Sequence, residues 1–243
     1  MSAMLSVRGV GKRFGGLTAL SDVSFEVGEG RIVGVMGANG AGKTTLFGLI
    51  AGNTRPSSGD IRYEGRSLVG LRPDQICRLG VARTFQIVKP FAGLTVLENL
   101  RTAAMFGKAQ HRRAADADAA SRGVLEEVGL AEVADRPAST LTLSGQKRLE
   151  IARAIASGAR LILLDEVMAG LTPTEVLQMM QTLRRLQAQR GLTLLVIEHV
   201  MRALMDLCSH IVVLHHGQLI AEGAPDNIGR NEQVLAVYFG GHA

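Results

Sequence analysis

Tryptophan is absent from the 243 residues, which hold only two tyrosines, two cysteines and six prolines. Cys77 and Cys208 lie far apart in the chain, so neither a disulfide framework nor clustered cysteine metal chemistry is expected, and both read as buried or reduced thiols. Long apolar runs are missing too. Mean hydropathy is high at +0.18, yet runs such as Leu161–Leu164, Leu194–Ile197 and Ile211–Leu214 each stop at a charge, a His or a Gly. A spanning helix needs about 20 apolar residues. Met1–Phe14 carries Arg8, Lys12 and Arg13 and no apolar stretch of the signal-peptide kind. Repeats and low-complexity linkers are also lacking. A soluble, cytoplasmic chain is expected.

Apolar residues make up 47% of the chain, which excludes intrinsic disorder and allows a sizeable core. Lys and Arg number 27 against 22 Asp and Glu, a formal charge of +5. That excess allows acidic lipids, nucleotides or nucleic acid as partners and selects none of them. Strand-length apolar runs alternate with helical stretches, the pattern of an α/β protein. An antiparallel β element comes first, with strands expected at Leu5–Val10, Val23–Val27, Arg31–Met36 and Asp60–Tyr63. From about Val88 to Gly158 the chain is Ala- and Arg-rich and helical. There Thr95 and Glu98 form a capping-box pattern ahead of Val96, Leu97, Leu100 and Ala104. Lys108–Arg122 lacks a strong apolar face. It is expected to be a solvated helix or loop, since a nucleic-acid patch calls for aromatics or longer basic tracts.

The most specific segment is Gly37-Ala38-Asn39-Gly40-Ala41-Gly42-Lys43-Thr44, a full match to GxxxxGK[ST]. Glycines let the backbone curl until successive N–H groups point inward at phosphates. Lys43 can reach the β- and γ-phosphates, and the Thr44 hydroxyl can ligate Mg²⁺. A strand (Ile32–Met36) precedes the loop and a helix (Thr44–Ala51) follows, which adds its dipole. Gly37, Asn39, Gly40, Ala41, Gly42, Lys43, Thr44 and Thr45 are the expected nucleotide contacts. Further along, Leu161-Ile162-Leu163-Leu164-Asp165 is a buried strand ending in a carboxylate suited to Mg²⁺. Glu166 follows, and a turn at the strand end would let it polarise a water for attack on the γ-phosphate.

With these elements in order, the sequence resembles the ATP-binding subunit of an ABC transporter over nearly its whole length. The resemblance implies a P-loop α/β core (residues 1–87 and 159–243) with an N-terminal antiparallel β subdomain and an inserted helical subdomain (88–158). It implies ATP and Mg²⁺ as cofactors and roles for several further residues. Gln86, in Arg83-Thr84-Phe85-Gln86, matches the glutamine that senses Mg²⁺ and the attacking water. His199, in Val196-Ile197-Glu198-His199, matches the switch histidine that contacts the γ-phosphate. Phe14 matches the aromatic that stacks on adenine. The catalytic set is therefore Glu166, His199 and Gln86, and the metal set is Thr44, Gln86 and Asp165.

The family signature, usually Leu-Ser-Gly-Gly-Gln, departs here. Aligned without gaps from Ala152-Arg153 it falls on Leu141–Gly145, so Leu143 and Ser144 stand where two glycines are usual. Thr142, Ser144 and Gly145 would contact the nucleotide held by a partner cassette, and Ser144 is expected to cap the following helix. Val167 replaces a usual Pro, and Thr172 replaces a usual Asp. Thr172-Pro173-Thr174-Glu175 reads as a helix start.

The context of Gln86, Leu149–Arg153, Ile197–His199 and the tail Tyr238–Gly241 looks most like an ATPase of branched-chain amino-acid importers. Implied partners are a second ATPase subunit, separate permease subunits and, indirectly, a periplasmic solute-binding protein, with the chain peripheral on the cytoplasmic face of the inner membrane. Lys89–Leu94 is expected to help form the permease-docking surface. Two alternatives belong to other classes: a nonmembrane ABC ATPase acting on nucleic acid or ribosomes, and a small-molecule P-loop kinase. The first usually fuses two cassettes; the second would not need the Gln86, signature and His199 series.

Overall fold

A computed structural model describes residues 3–84 and 90–239. The chain divides into two compact units, residues 1–73 with 193–243, and residues 74–192.

The first unit opens with β1 (Ala3–Phe14), β2 (Leu17–Gly28), β3 (Ile32–Met36), α1 (Lys43–Ile50), β4 (Ser58–Tyr63) and β5 (Arg66–Ser67). β1 and β2 are 12 residues each and pair antiparallel, longer than the short runs expected from sequence. β2 alternates buried and exposed residues from Val23 to Val27, so polar residues on one face belong to the strand, whereas β1 is buried without a break at Met4–Val7. With β4 and β5 they form an antiparallel sheet in the order β2-β1-β4-β5.

The second unit follows: α2 (Pro73–Leu79), β6 (Val81–Arg83), α3 (Val96–Phe106), α4 (Ala114–Val128), α5 (Leu143–Ala156), β7 (Leu161–Asp165) and α6 (Pro173–Arg190). β6 and β7 run parallel, with Val81 opposite Leu161 and Arg83 opposite Leu163. Thr95 caps α3 in a complete capping box with Glu98. The stretch expected to be solvated, Lys108–Arg122, is a loop and the exposed start of α4, with Ala117 and Ser121 as its buried residues. α4 buries Ala117, Ser121, Val124, Leu125 and Val128, an i, i+4, i+7, i+8, i+11 stripe. Ala117 and Ser121 supply the first buried positions, so that part of the face is close-packed without being strongly apolar. Arg101 on α3 donates from Nε and Nη2 to the Asp118 carboxylate on α4, at 2.5 and 2.8 Å.

The chain then returns to the first unit as β8 (Thr193–Ile197), α7 (Met201–Leu207), β9 (His210–His215), β10 (Gln218–Gly223), α8 (Pro225–Ile228) and α9 (Glu232–Phe239). β3 lies between β9 and β8, parallel to both, and β10 pairs antiparallel with β9. β3 and β8 are buried at every residue, which is why they read as unbroken apolar runs. Cys77 and Cys208 form no disulfide. Among the described residues no helix is long and apolar enough to cross a membrane.

Candidate nucleotide-binding and hydrolysis site

In the first unit, β3 delivers the chain directly into the loop Gly37–Gly42, and α1 begins at Lys43. Gly42 is the N-cap of α1 with φ 103° and makes no side-chain cap. A Cβ there would fall 2.6 Å from Leu20 Cδ2 and 2.8 Å from the Ala19 carbonyl oxygen, so only glycine fits. No acidic residue stands in the first turn of α1. The helix start therefore offers N–H groups and a positive dipole end with no side-chain cap, the chemistry of an anion site. Lys43 is 6% exposed. Its Nζ donates to the Gly37 and Ala38 carbonyls at 2.6 and 3.0 Å, which arches the side chain back over the loop. The turn after β9 braces the same loop, since Gly217 N–H donates to the Ala41 carbonyl at 3.1 Å.

His199 follows β8, as expected from its place after an apolar strand. It lines a crevice of about 210 Å³ with Gly37, Ala38, Asn39, Glu198 and Tyr238. The structure thus brings the histidine and the phosphate-loop residues Gly37 and Asn39 to one opening. Phe14, at the end of β1, is 49% exposed and so is no core residue. Lys12 Nζ sits 4.7 Å from its ring centroid. Tyr238 was not singled out as a site residue by sequence. Burial pushes its phenol pKa up, while a hydrogen bond with the Gly37 backbone pulls it the other way. In the sequence it entered only as the first residue of the family-like tail Tyr238–Gly241.

In the second unit, β7 places Asp165 at its end, 1% exposed. Arg83 Nη2 donates to Asp165 Oδ2 at 2.7 Å, and Asp165 N–H donates to Thr84 Oγ1 at 3.0 Å. Asp165 Oδ1 is buried and has no hydrogen-bond partner among the described residues. A buried carboxylate oxygen without a partner is costly, and a hard divalent cation is the ligand it suits. Asp165 thus fits Mg²⁺ by the chemistry of its own carboxylate. Gln86 lies outside the described residues.

Glu166 turns the chain after β7 with φ 52°. For a residue with a Cβ the left-handed conformation costs roughly 1–2 kcal/mol, and such strain collects at functional turns. Glu166 is 8% exposed. Its carbonyl accepts from Lys147 Nζ at 3.0 Å and from Ala169 N–H at 3.2 Å. Lys147 went unremarked in the sequence, although it shares the buried Ser144, Ile151 and Ile155 side of α5.

The signature region starts α5. The expected cap on Ser144 is corrected: Thr142 is the N-cap, extended at φ −62° and ψ 166°, and its Oγ1 accepts from Gly145 N–H at 3.2 Å. Ser144 is one residue inside the helix and buried, so its hydroxyl cannot take the cap position. Leu143 opens the helix, 45% exposed. Thr172 caps α6 in a full box with Glu175, and Pro173 follows it, as the sequence predicts.

A glycine-built anion cradle with a lysine folded over it, in an α/β chain with a strand-end Asp-Glu pair, defines a P-loop nucleotide-binding protein. The ABC transporter family profile matches residues 20–169. BraF of Pseudomonas aeruginosa, a high-affinity branched-chain amino acid transport ATP-binding protein, is 39% identical over 98% of both chains. LivG of Salmonella typhimurium, with the same description, is 40% identical over 98% of both. A crystal structure of the ADP conformation of an ABC transporter cassette superposes with a TM-score of 0.89 at 29% identity, covering 99% of this chain and all of that one. The chain belongs to the ABC transporter family, as its nucleotide-binding, ATP-hydrolysing component.

Proposed function

We propose that the chain binds Mg·ATP and couples its hydrolysis to import of branched-chain amino acids or a related small polar solute through separate permease subunits. The cargo rests on the likeness to BraF and LivG. The observation that most supports the chemistry is Lys43 held over loop carbonyls at the uncapped start of α1. In this reading Gly37, Asn39, Gly40, Ala41, Gly42, Lys43, Thr44 and Thr45 hold the phosphates, and Phe14 stacks on the base. Thr44, Asp165 and Gln86 hold Mg²⁺, which neutralises phosphate charge when bound. Glu166 takes a proton from the attacking water. His199 contacts the γ-phosphate, and Gln86 senses Mg²⁺ and the attacking water.

A second ATPase subunit completes each site by presenting Thr142, Ser144 and Gly145, and the helical segment 88–158 moves when nucleotide binds. The complex sits on the cytoplasmic face of the inner membrane and receives solute from a periplasmic binding protein. The solute does not touch this chain. Phe91 and Leu94, 46% and 36% exposed, offer apolar surface to the permease. Asn99 fixes the backbone there, its Oδ1 accepting from Phe91 N–H at 2.9 Å and its Nδ2 donating to the Phe91 carbonyl at 3.1 Å. Phe91→Asp should abolish copurification with the permease while sparing nucleotide binding; intact transport would remove this surface from the interface.

Glu166→Gln tests the mechanism. ATP binding should persist and hydrolysis should fall roughly 10²–10⁴-fold. Parental hydrolysis by the Glu166→Gln protein in the assembled complex would exclude Glu166 as the base. Transfer of phosphate to a small acceptor would instead identify a kinase.

A further inference from the structure

A lysine head is rarely buried, because its N–H groups must then find acceptors inside the protein. Lys147 on α5 is 3% exposed, and its Nζ reaches the carbonyl of Glu166 at 3.0 Å. That carbonyl belongs to the one residue of the turn after β7 that is left-handed without being glycine, with φ 52°. Its second bond, from Ala169 N–H at 3.2 Å, closes the turn. Four residues back along α5, Leu143 touches the same loop: its Cδ2 lies 3.0 Å from where a Cβ on Gly170 would stand. One face of α5 therefore meets both ends of the segment 166–170.

We infer that Lys147 is a positioning residue for Glu166, holding the strained turn so that the carboxylate keeps its aim. A backbone carbonyl fixed from two directions cannot rotate without losing a buried hydrogen bond. The carbonyl carbon is bonded directly to the Glu166 Cα, so anchoring it fixes the base from which the side chain projects. Lys147 touches neither nucleotide nor water in this role. It acts on catalysis only through Glu166, and the inference rests on Glu166 being the base. It also gives α5 a second task, since the helix whose start carries the signature region steadies the turn that carries the hydrolytic carboxylate.

The test uses the purified full-length chain with Mg·ATP, alone and assembled with its permease. Lys147→Met keeps the apolar stem and removes the donor. We expect kcat to fall roughly 10- to 100-fold, as for a reacting group displaced by about 1 Å, with KM for ATP within about twofold of the parent. Lys147→Arg, which restores a donor, should recover most of the rate. In a Glu166→Gln background Lys147→Met should cause no further loss, because no base remains to be aimed. A parental kcat for Lys147→Met, or the same fold loss in both backgrounds, overturns the inference. Parental turnover of Glu166→Gln alone overturns the base assignment instead, and is read without reference to Lys147. If Lys147→Met loses its cooperative melt, Lys147→Gln carries the test. Its donor is one bond short of the carbonyl, so reduced kcat at parental KM is expected and parental kcat overturns.

Discussion

Lys43 shows how one side chain serves both loop shape and ligand. Its Nζ ties Gly37 and Ala38 carbonyls together, so the head is stationed over the loop before any phosphate arrives. Each hydrogen bond to a charged group is worth about 1.5–3 kcal/mol. Lys43→Ala removes the loop ties and the phosphate partner together, and nucleotide affinity should drop at least tenfold. Titration with a fluorescent ATP analogue reads this directly; unchanged affinity would place the phosphates elsewhere. Asp165 is the complementary case. Arg83 satisfies one of its oxygens and, among the described residues, Oδ1 is buried without a hydrogen-bond partner, an arrangement that suits a cation.

At the scale of elements, Thr172 separates structure from function. Its box with Glu175 is complete, so α6 is capped whether or not Thr172 faces a partner subunit. Thr172→Ala should cost about 1 kcal/mol of stability, seen as a lower urea midpoint. The Thr172 backbone and side-chain hydrogen bonds hold the Glu175 carboxyl below its usual pKa, and the Thr95 bonds do the same for Glu98. A depressed carboxylate stabilises the fold above its unfolded pKa and loses that contribution as pH falls through the folded value. The penalty of Thr172→Ala should therefore be full near neutral pH and shrink below the ordinary Glu range; a pH-independent penalty would show that the carboxylate takes no part.

The same elements show what sequence can carry. β3, β7 and β8 were legible because strands buried at every residue become continuous apolar runs, and the caps at Thr95 and Thr172 because their partners are three residues away. The exposed start of α4 was legible in its missing apolar face, but the burial of Ala117 and Ser121 was not, because they pack by being small, which apolar periodicity does not register. Tyr238 and Lys147 were missed for another reason. Their partners, Gly37 and the Glu166 carbonyl, are remote in the chain, and only the fold brings them together. The cap on Thr142 in place of Ser144 turned on a single residue of helix start, which local pattern resolves poorly.

For the whole molecule the altered signature has a consequence that no single chain can display. Leu143 and Ser144 stand where the family usually has glycines, and Thr142 Oγ1 already engages the Gly145 N–H. Side chains obstruct phosphate approach to the helix start, and the cap occupies one of the donors on which such a site depends. One lost hydrogen bond to a charged group amounts to about 1.5–3 kcal/mol, or one to two decades in rate. Paired with a different cassette that bears the usual signature, this chain should form two unequal sites. Its own phosphate loop would meet the intact signature and turn over faster; the partner's loop would meet Leu141–Gly145 and turn over more slowly. Glu166→Gln should then abolish most hydrolysis by the heterodimer, whereas the equivalent change in the partner should leave much of it. Equal losses would mean that the start of α5 serves phosphate as well as glycine would, or that the two sites fire only together. Restoring glycine at Leu143 and Ser144 separates these outcomes. A faster enzyme supports obstruction, and an unchanged one removes it.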